Sequence, residues 1–288
     1  MRMGIAQALT AMLFFSFVGP IAKLVPLSAG AISFWRAAFA SAALLGWILV
    51  RSRRKWRIER PDHLASLIGI GLLTCGNWVF YILAVQVSTV AIGVVCLFTY
   101  PLWTILLEPF FFDQRHRPAE LVGGGLVLAG VALLVERLAW TDNAALGVWF
   151  GLLSSFCLTG RNLLSRKAVI HLSPSTVNLA LFLLAALVFL PFAAPRSEWP
   201  GPQDLANLAL LGGVFTMISH VMFIASLRHL TASFASILVS FQPVCAILIA
   251  VVMLGERPSM RTLAGGGLIL AAVFLALGTR SLPPGRVT

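Results

Sequence analysis

Long runs of apolar residues recur along the whole chain, and only short polar stretches separate them. A helix that crosses a bilayer needs about 20 mostly apolar residues. Ten segments fit: 5–25, 30–50, 64–85, 88–111, 119–136, 146–167, 175–194, 205–227, 232–254 and 262–279. Charged residues make up 11% of the chain, against roughly 25% in soluble domains. The pattern predicts one all-α integral membrane domain, residues 1–288, with ten transmembrane helices.

The net charge of +11 follows from where the basic residues lie. The stretch "RSRRKWRIER" (51–60) is strongly basic, and such clusters mark the cytoplasmic side of a membrane protein. With this loop inside, ten spans place both termini in the cytoplasm. Most of the other basic residues in loops then fall on the same side. We therefore expect membrane lipid as a partner and no nucleic acid.

The two halves of the chain resemble each other at a fixed offset. "GGGLVLAGVALL" (123–134) aligns with "GGGLILAAVFLA" (265–276), and the same shift aligns Pro101 with Pro243. The halves are residues 1–140 and 141–288, with five spans each. Because five is odd, the second half crosses the membrane in the opposite sense, which predicts a five-plus-five inverted-topology repeat suited to alternating access. The triple glycines predict close packing of spans five and ten, within a monomer or across a homodimer.

Two spans carry a proline near their middle, each next to a polar residue. Span four reads "CLFTYPLWTILLEP" (96–109) and span nine reads "LVSFQPVCAILIAV" (238–251). Proline removes a backbone donor and kinks a helix, and in lipid the freed carbonyl must face protein or a wet cavity. We predict that Pro101 and Pro243 form kinks that take part in gating. The alternative is that they serve packing alone.

Aromatic and small polar side chains fall at the same depth in several spans. Together they suit a small organic solute with an apolar or aromatic part. Any one of them is more often a packing or lipid-facing residue, so the set is the stronger indication. The predicted substrate-binding residues are Ser16, Asn77, Trp78, Tyr81, Tyr100, Trp103, Phe156, His220 and Gln242.

Two arginines lie within spans, where a charge is costly and marks a functional candidate. Arg36 is expected to take part in gating, to pair with a substrate carboxylate or to brace its helix. Arg161 falls toward the inner surface, where its side chain either snorkels to the interface or faces the interior. The sequence leaves open whether either arginine contacts substrate.

Several familiar kinds of site are missing from the sequence. No carboxylate falls in mid-membrane, and Glu108 is the deepest, near the inner end of span four. We therefore expect uncoupled transport, although His220 could carry a proton. The four cysteines lie within spans without metal-binding spacing, so no metal, disulfide or other cofactor is expected. Without a catalytic cluster an enzyme is not expected; a membrane-embedded lipid-handling protein or enzyme is kept as the alternative class.

Three segments carry a resemblance to a known family: "SFWRAAFASAALL" (33–45), "FTYPLWTILLEPFFF" (98–112) and "SFQPVCAILIAVVMLGERPS" (240–259). They are similar to the second, fourth and ninth spans of the EamA type of the drug/metabolite transporter superfamily. The resemblance extends over nearly the whole chain. The first half departs from it at "FFDQRHRP", where Gln114 stands at the position of Glu256.

The resemblance implies a bundle around a central cavity in the bacterial inner membrane, with spans five and ten behind it. It implies a secondary exporter of amino acids, drugs or other metabolites. The aromatic-rich spans are similar to those of a YddG-like exporter of aromatic or apolar amino acids. Export of drugs or other metabolites is the alternative. Nucleotide sugars are disfavoured because only Arg36 and Arg161 could meet their phosphates.

Overall fold

The computed structural model describes residues 1–22, 24–51, 61–88, 93, 96–112, 118–134, 144–193, 199–254 and 260–278. Within these ranges the chain forms helices and contains no strand, which confirms the all-helical prediction. The helices are α1 (Arg2–Ala22), α2 (Ala29–Arg51), α3 (Pro61–Val87), α4 (Tyr100–Phe112), α5 (Pro118–Leu134), α6 (Ala144–Ala168), α7 (Pro174–Phe189), α8 (Pro202–Ala209), α9 (Met217–Ser226), α10 (Ala232–Val239), α11 (Gln242–Leu254) and α12 (Met260–Gly278).

Several of the predicted spans consist of more than one helical segment in the described part of the chain. A π-helical stretch, Leu210–Thr216, joins α8 to α9 in one continuous rod. Span nine comprises α10 and α11, which residues 240–241 separate. The basic loop 52–60, Gln114, Glu256 and the C-terminal residues 279–288 lie outside the described residues.

Four helical stretches among the described residues are long and apolar enough to cross a bilayer. They are Ala29–Val50, His63–Ala84, Pro174–Phe192 and Pro202–Ser226. Shorter apolar stretches lie at Arg2–Val18, Pro118–Leu133, Ala232–Cys245 and Leu263–Gly278. The prediction of ten full-length spans is therefore met in part. The breaks before Pro101 and Pro243 shorten the uninterrupted helices of spans four and nine. Helix α6 is long enough, but Arg161, Arg166 and Lys167 make it less apolar than the four stretches above.

Local sequence determines where several helices begin. Ser173 caps α7 by accepting a hydrogen bond from the Thr176 backbone N–H at 3.0 Å, with Pro174 in the first turn. Thr231 caps α10 in the same way by accepting from Phe234 N at 3.1 Å. Such caps satisfy backbone donors that have no partner within the helix.

The two prolines start helices instead of bending them. Pro101 is the second residue of α4 and Pro243 the second residue of α11. The missing N–H of proline is tolerated in a first helical turn, because donors there have no intrahelical acceptor. Each proline thus follows a break in its span, at corresponding positions of the two halves, and does not lie inside one continuous helix. The role of the two prolines in gating stays a prediction.

Helices of the two halves interleave throughout the bundle. The main packed pairs are α3 with α6, α5 with α12, α1 with α9 and α2 with α7. Helix α4 lies against α6 and α10, and α1 lies against α10 and α11. One core of buried apolar residues includes Leu44 from the first half and Phe182 and Phe234 from the second. The halves are therefore not independent bodies.

The π-helical stretch packs closely on α2. A Cβ atom at Gly212 would lie 2.5 Å from the backbone oxygen of Arg36 and 2.7 Å from Cβ of Phe39. Only glycine permits this approach of the two backbones. Single π-helical turns frequently occur at functional sites, and this one positions Thr216 beside the Arg36 side chain.

Glycine also brings α5 and α12 together. A Cβ at Gly130 would lie 2.6 Å from Cγ1 of Ile269 and 2.7 Å from the backbone oxygen of Gly265. Nothing lies within 4 Å of a Cβ at Gly125, on the same helix. Within one chain, α5 and α12 therefore make the close contact that the glycine runs predict.

Replacing Gly130 by alanine should destabilise the bundle, because the backbone of α12 must move away. Overpacking of this kind costs about 1–3 kcal/mol. We expect the melting temperature in detergent to fall by several degrees for Gly130→Ala. The control is Gly125→Ala, which should melt no lower than the native protein. Equal melting temperatures for the native protein and Gly130→Ala would show that the contact is not tight.

Candidate functional site

Four polar side chains from four helices are grouped in the interior of the bundle by their electrostatic interactions with Arg161. They are Arg36 on α2, Tyr100 on α4, Arg161 on α6 and His220 on α9, here called the central polar cluster. The charge of Arg161 acts electrostatically on each of the other three. Tyr100, Arg161 and His220 are buried and Arg36 is half-buried. The cluster draws on both halves of the chain.

Arg161 is the central member of this cluster. Its Nε and Nη2 donate hydrogen bonds to Oδ1 of Asn162 at 3.1 and 2.7 Å. Its guanidinium carbon lies 5.7 Å from the centroid of the Phe223 ring. Among the described residues it has no carboxylate within ion-pair distance. The side chain is 5% exposed, so it faces the interior and does not snorkel to the inner interface.

Arg36 connects three helical elements. Its Nε donates to Oγ1 of Thr216 at 2.8 Å, and its guanidinium carbon lies 4.3 Å from the centroid of the Trp78 ring. Trp78 in turn stacks on Phe189 with centroids 5.8 Å apart. The cation–π contact and the hydrogen bond hold Arg36 between α2, α3 and the π-helical stretch. Arg36 also has no carboxylate partner in the described part of the chain.

The residues before the two prolines are bonded to neighbouring helices in similar ways. The carbonyl of Tyr100 accepts from Oγ1 of Thr159 on α6 at 3.3 Å. The carbonyl of Gln242 accepts from Oγ of Ser16 on α1 at 3.1 Å. Ser16 lies on α1, the first helix of the first half, and Thr159 lies on α6, the first helix of the second half. Each hydroxyl donates to the carbonyl beside the helix break in the other half.

The side chains of Tyr100 and Gln242 also reach across the bundle. The Tyr100 hydroxyl donates to the backbone oxygen of Ser236 on α10 at 3.3 Å. Nε2 of Gln242 donates to the backbone oxygen of Phe15 at 3.5 Å. Phe15 packs edge-on against His220, with ring centroids 5.0 Å apart. Tyr100 thus belongs to the central polar cluster. Gln242 is connected to the cluster indirectly, through Phe15.

Asn77 is engaged between α3 and α6. Its Nδ2 donates to Oγ of Ser154 at 2.8 Å and to the Ser154 backbone oxygen at 3.1 Å. The Ser154 hydroxyl donates back to the Asn77 backbone oxygen at 2.9 Å. The amide therefore takes part in a reciprocal contact between helices, and its predicted contact with substrate has no geometric support here.

The predicted aromatic residues do not share one surface. Trp103 packs on Phe156 with ring centroids 4.4 Å apart and donates from Nε1 to Oγ1 of Thr99 at 3.1 Å. Phe156 is 42% exposed, so much of its ring faces away from protein. Tyr81 is half-buried on α3. Only Arg36, Tyr100 and His220 of the predicted set belong to the central polar cluster.

A second buried polar site involves Glu108, to which sequence analysis gave no function. Its carboxylate accepts hydrogen bonds from the Arg166 guanidinium, the Ser233 hydroxyl and the backbone N–H groups of Ala232 and Ser233, the last two at 2.6 and 2.8 Å. Glu108 and Arg166 are both buried. This Glu108 network joins α4 and α6 to the N-terminus of α10, where the helix dipole favours a negative charge.

Sequence reasoning underestimated Arg161 and Glu108 for one reason. Both lie toward the ends of predicted spans, where a charged side chain is expected to reach water. The signal that could have found the Glu108 network is that Glu108 and Arg166 have opposite charge and fall at the same depth in spans four and six. No comparable signal in the sequence pairs Arg161 with Asn162.

These features define a multi-pass, all-helical membrane protein with charged groups buried between its two halves. The model of the EamA-like transporter family matches residues 2–136 and again residues 145–278. The chain therefore belongs to the EamA-like transporter family, within the drug/metabolite transporter superfamily, and its role is transport.

Similar proteins agree with this family. The chain is 28% identical to an uncharacterised transporter of Pseudomonas aeruginosa, over 88% of this chain and 82% of that protein. It is 26% identical to a probable amino-acid metabolite efflux pump of Salmonella typhimurium, over 80% and 83% of the two chains. The same identity relates it to the protein RarD of Escherichia coli, over 73% and 72%.

A solved crystal structure has the same fold. It superimposes on this chain with a TM-score of 0.82 at 20% sequence identity and covers 95% of this chain and 98% of its own. The relatives come from bacteria, such as Bacillus subtilis and Escherichia coli, and from Archaeoglobus fulgidus.

Asn77→Ala and Ser154→Ala should each lower stability, because each change breaks the reciprocal contact between α3 and α6. Hydrogen bonds between membrane helices contribute about 0.6 kcal/mol on average and up to about 1.7 kcal/mol. We expect the double variant to be as stable as the less stable of the two single variants, as measured by unfolding in detergent. Additive effects of the two substitutions would show that the residues act independently.

Proposed function

We propose that the protein exports small organic solutes, amino acids with aromatic or apolar side chains above all, by alternating access through a central cavity. In this proposal it lies in the bacterial inner membrane with both termini in the cytoplasm. The observation that weighs most is the pair of helix breaks before Pro101 and Pro243, beside buried polar groups. Interrupted helices at corresponding positions of two repeats indicate a transporter's binding site.

Two observations support an inverted repeat in this proposal. The family model matches the chain twice, once in each half. The packing of helices is also largely unchanged when the halves are exchanged: α3 with α6 corresponds to α9 with α1, while the pairs α5 with α12 and α2 with α7 correspond to themselves. A pseudo-two-fold axis of this kind lets one half adopt the conformation of the other, which is the basis of alternating access.

The name of one relative supports amino acids as the substrate class. That relative is a probable amino-acid metabolite efflux pump. The central polar cluster adds chemistry that suits such solutes, since its guanidinium groups can bind a solute carboxylate and the rings of Phe15, Phe182 and Phe223 offer apolar contact. We propose uncoupled movement, because the buried Glu108 carboxylate is already occupied by four donors.

The test is uptake of radiolabelled amino acids by liposomes that contain the purified protein. We expect uptake of a few aromatic or apolar amino acids. Tyr100→Ala and Gln242→Ala should slow it by about tenfold or more, which corresponds to a loss of 1.4 kcal/mol or more, because each removes a contact beside a helix break. Trp149→Ala, at a residue of α6 that is 67% exposed, should transport normally.

Three results would count against this proposal. If the folded protein moves no amino acid, the substrate class is wrong, and the same assay with drugs or other metabolites tests the alternative. If uptake persists in both variants, the helix breaks are not the site. If an imposed pH gradient drives accumulation that His220→Ala abolishes, transport is proton-coupled.

We further propose that the Glu108 network closes the cytoplasmic end of the bundle. In the predicted topology, the ends of α4 and α6 and the start of α10 all lie on that side. Arg228 adds to the closure, because its Nε and Nη2 donate to the backbone oxygens of Val169 and Leu172 at 3.2 and 2.7 Å. A solute could enter from the cytoplasm only when these contacts open.

Glu108→Gln should favour the state that is open to the cytoplasm. It removes the ion-pair partner of the buried Arg166 and leaves it only the longer-range attraction of Glu120, and breaking a buried pair costs about 3–5 kcal/mol. In a cysteine-free background carrying Ser236→Cys, we expect an impermeant thiol reagent applied from the cytoplasmic side to react several-fold faster. Asp204→Asn, in the first turn of α8, is the control. An unchanged labelling rate with Glu108→Gln would show that the network does not act as a gate.

A further inference from the structure

Two guanidinium groups at the centre of the bundle have no counter-ion in the described part of the chain. Arg36 and Arg161 repel each other electrostatically, and neither has a carboxylate within ion-pair distance among the described residues. An unpaired buried charge is costly. The protein thus maintains a positive site at its centre, and an anionic group that enters the site would be stabilised there.

The hydrogen bonds of Arg161 show which of its donors are free for a ligand. A guanidinium has two edges that each offer a pair of parallel N–H groups. The edge formed by Nε and Nη2 is occupied by Oδ1 of Asn162. The outer edge, formed by Nη1 and the second hydrogen of Nη2, has no hydrogen-bond partner among the described residues. Its geometry matches the two oxygens of a carboxylate.

Two further buried polar atoms near Arg161 also have no hydrogen-bond partner among the described residues. Nδ2 of Asn162 is buried without a hydrogen bond, although it belongs to the same amide that holds the guanidinium. Nδ1 of His220 is likewise buried and unpartnered, and its ring lies within electrostatic range of Arg161. Asn162 is 1% and His220 2% exposed. Buried polar atoms are nearly always bonded; nine side-chain atoms in the described part of the chain are exceptions, and these two lie near the free edge of Arg161.

The surroundings of the site indicate what the rest of the ligand is. His220 lies between the rings of Phe15 and Phe182, at centroid distances of 5.0 and 5.5 Å. The ring of Phe223 lies beside Arg161. A carboxylate held by Arg161 would thus have apolar aromatic surface next to it. A phosphate ester would bring about twice the negative charge of a carboxylate and three acceptor oxygens. The free edge of Arg161 offers two hydrogen-bond donors.

We propose that Arg161 binds the carboxylate of the transported solute through its outer edge, with Asn162 as the positioning residue. The inference rests on the proposed function, because it names the chemistry by which the same centre holds its solute. Arg36 contributes positive potential, while its own Nε is committed to Thr216. A solute that lacks the carboxylate loses two charge-assisted hydrogen bonds.

The test compares an acid with its neutral amide in a binding assay that needs no transport. The probes are 3-phenylpropionate and 3-phenylpropanamide, and the measurement is the shift in melting temperature of the purified protein with probe concentration. We expect the acid to bind the native protein about tenfold to hundredfold more tightly than the amide, as the loss of bonds to a charged group implies.

Three variants separate binding from folding. Arg161→Gln should lose the preference for the acid. Arg161→Lys keeps the charge but lacks the paired N–H groups, and it should retain only part of the preference even if Arg161→Gln fails to fold. Asn162→Ala should weaken binding of the acid and leave the amide unchanged. Arg2→Gln, at the exposed start of α1, is the control.

The outcomes distinguish this inference from the proposed function. Equal binding of acid and amide by the native protein, or an unchanged preference in Arg161→Lys, overturns the role of Arg161 even when liposomes take up amino acids. An acid preference that depends on Arg161, together with no uptake of any amino acid, supports the carboxylate site and overturns the proposed export of amino acids.

Discussion

Polar groups inside an apolar bundle must find partners within the protein, since neither lipid nor bulk water can supply them. The structure meets this requirement mostly with small hydroxyl and amide groups that link neighbouring helices. Ser16 and Thr159 donate to the carbonyls beside the two helix breaks, and Asn77 and Ser154 bond each other. These contacts hold in place two spans that proline interrupts. The carbonyls of Tyr100 and Gln242, beside the two breaks, are therefore bonded to neighbouring helices.

The central polar cluster differs from the rest of the interior because some of its polar groups have no partner among the described residues. The carbonyls beside the helix breaks are bonded, whereas Nδ2 of Asn162 and Nδ1 of His220 have no partner among the described residues. The protein also places Arg161 beside them without a carboxylate in the described part of the chain. A uniformly packed core would not retain this arrangement, because each group costs free energy. A binding site that is filled and emptied in each transport cycle would retain these unpaired groups, because the solute becomes their partner.

Much of the architecture could be predicted from the sequence because it depends on local patterns. The lengths of the apolar segments indicated helices, and the glycine runs indicated the close contact of α5 with α12. The helix breaks at Pro101 and Pro243 were located, but their form was not: the sequence cannot show whether proline bends a helix or starts a new one. The choice depends on partners such as Ser16, 226 residues away from Gln242.

The site was harder to predict than the fold for the same reason. Depth along a span can be estimated from the sequence, but the direction in which a side chain points cannot. Asn77 and Phe156 fall at the expected depth, yet one bonds a neighbouring helix and the other is partly exposed. Arg161 and Glu108 were placed near span ends, where exposure is the usual outcome, and both are buried. Only the packing of helices from opposite halves shows which polar residues face each other.

The Glu108 network also introduces an asymmetry that an exact repeat would lack. The offset that aligns the prolines places Ala250 opposite Glu108 and Leu24 opposite Arg166, so the second copy has no equivalent ion pair. If the halves exchange conformations during transport, the state closed at the Glu108 end has a buried ion pair and a charged helix cap that the opposite state cannot reproduce. The two states then differ in free energy. A bound solute carboxylate at Arg161, with differential affinity for the two states, is the kind of interaction that can offset this difference.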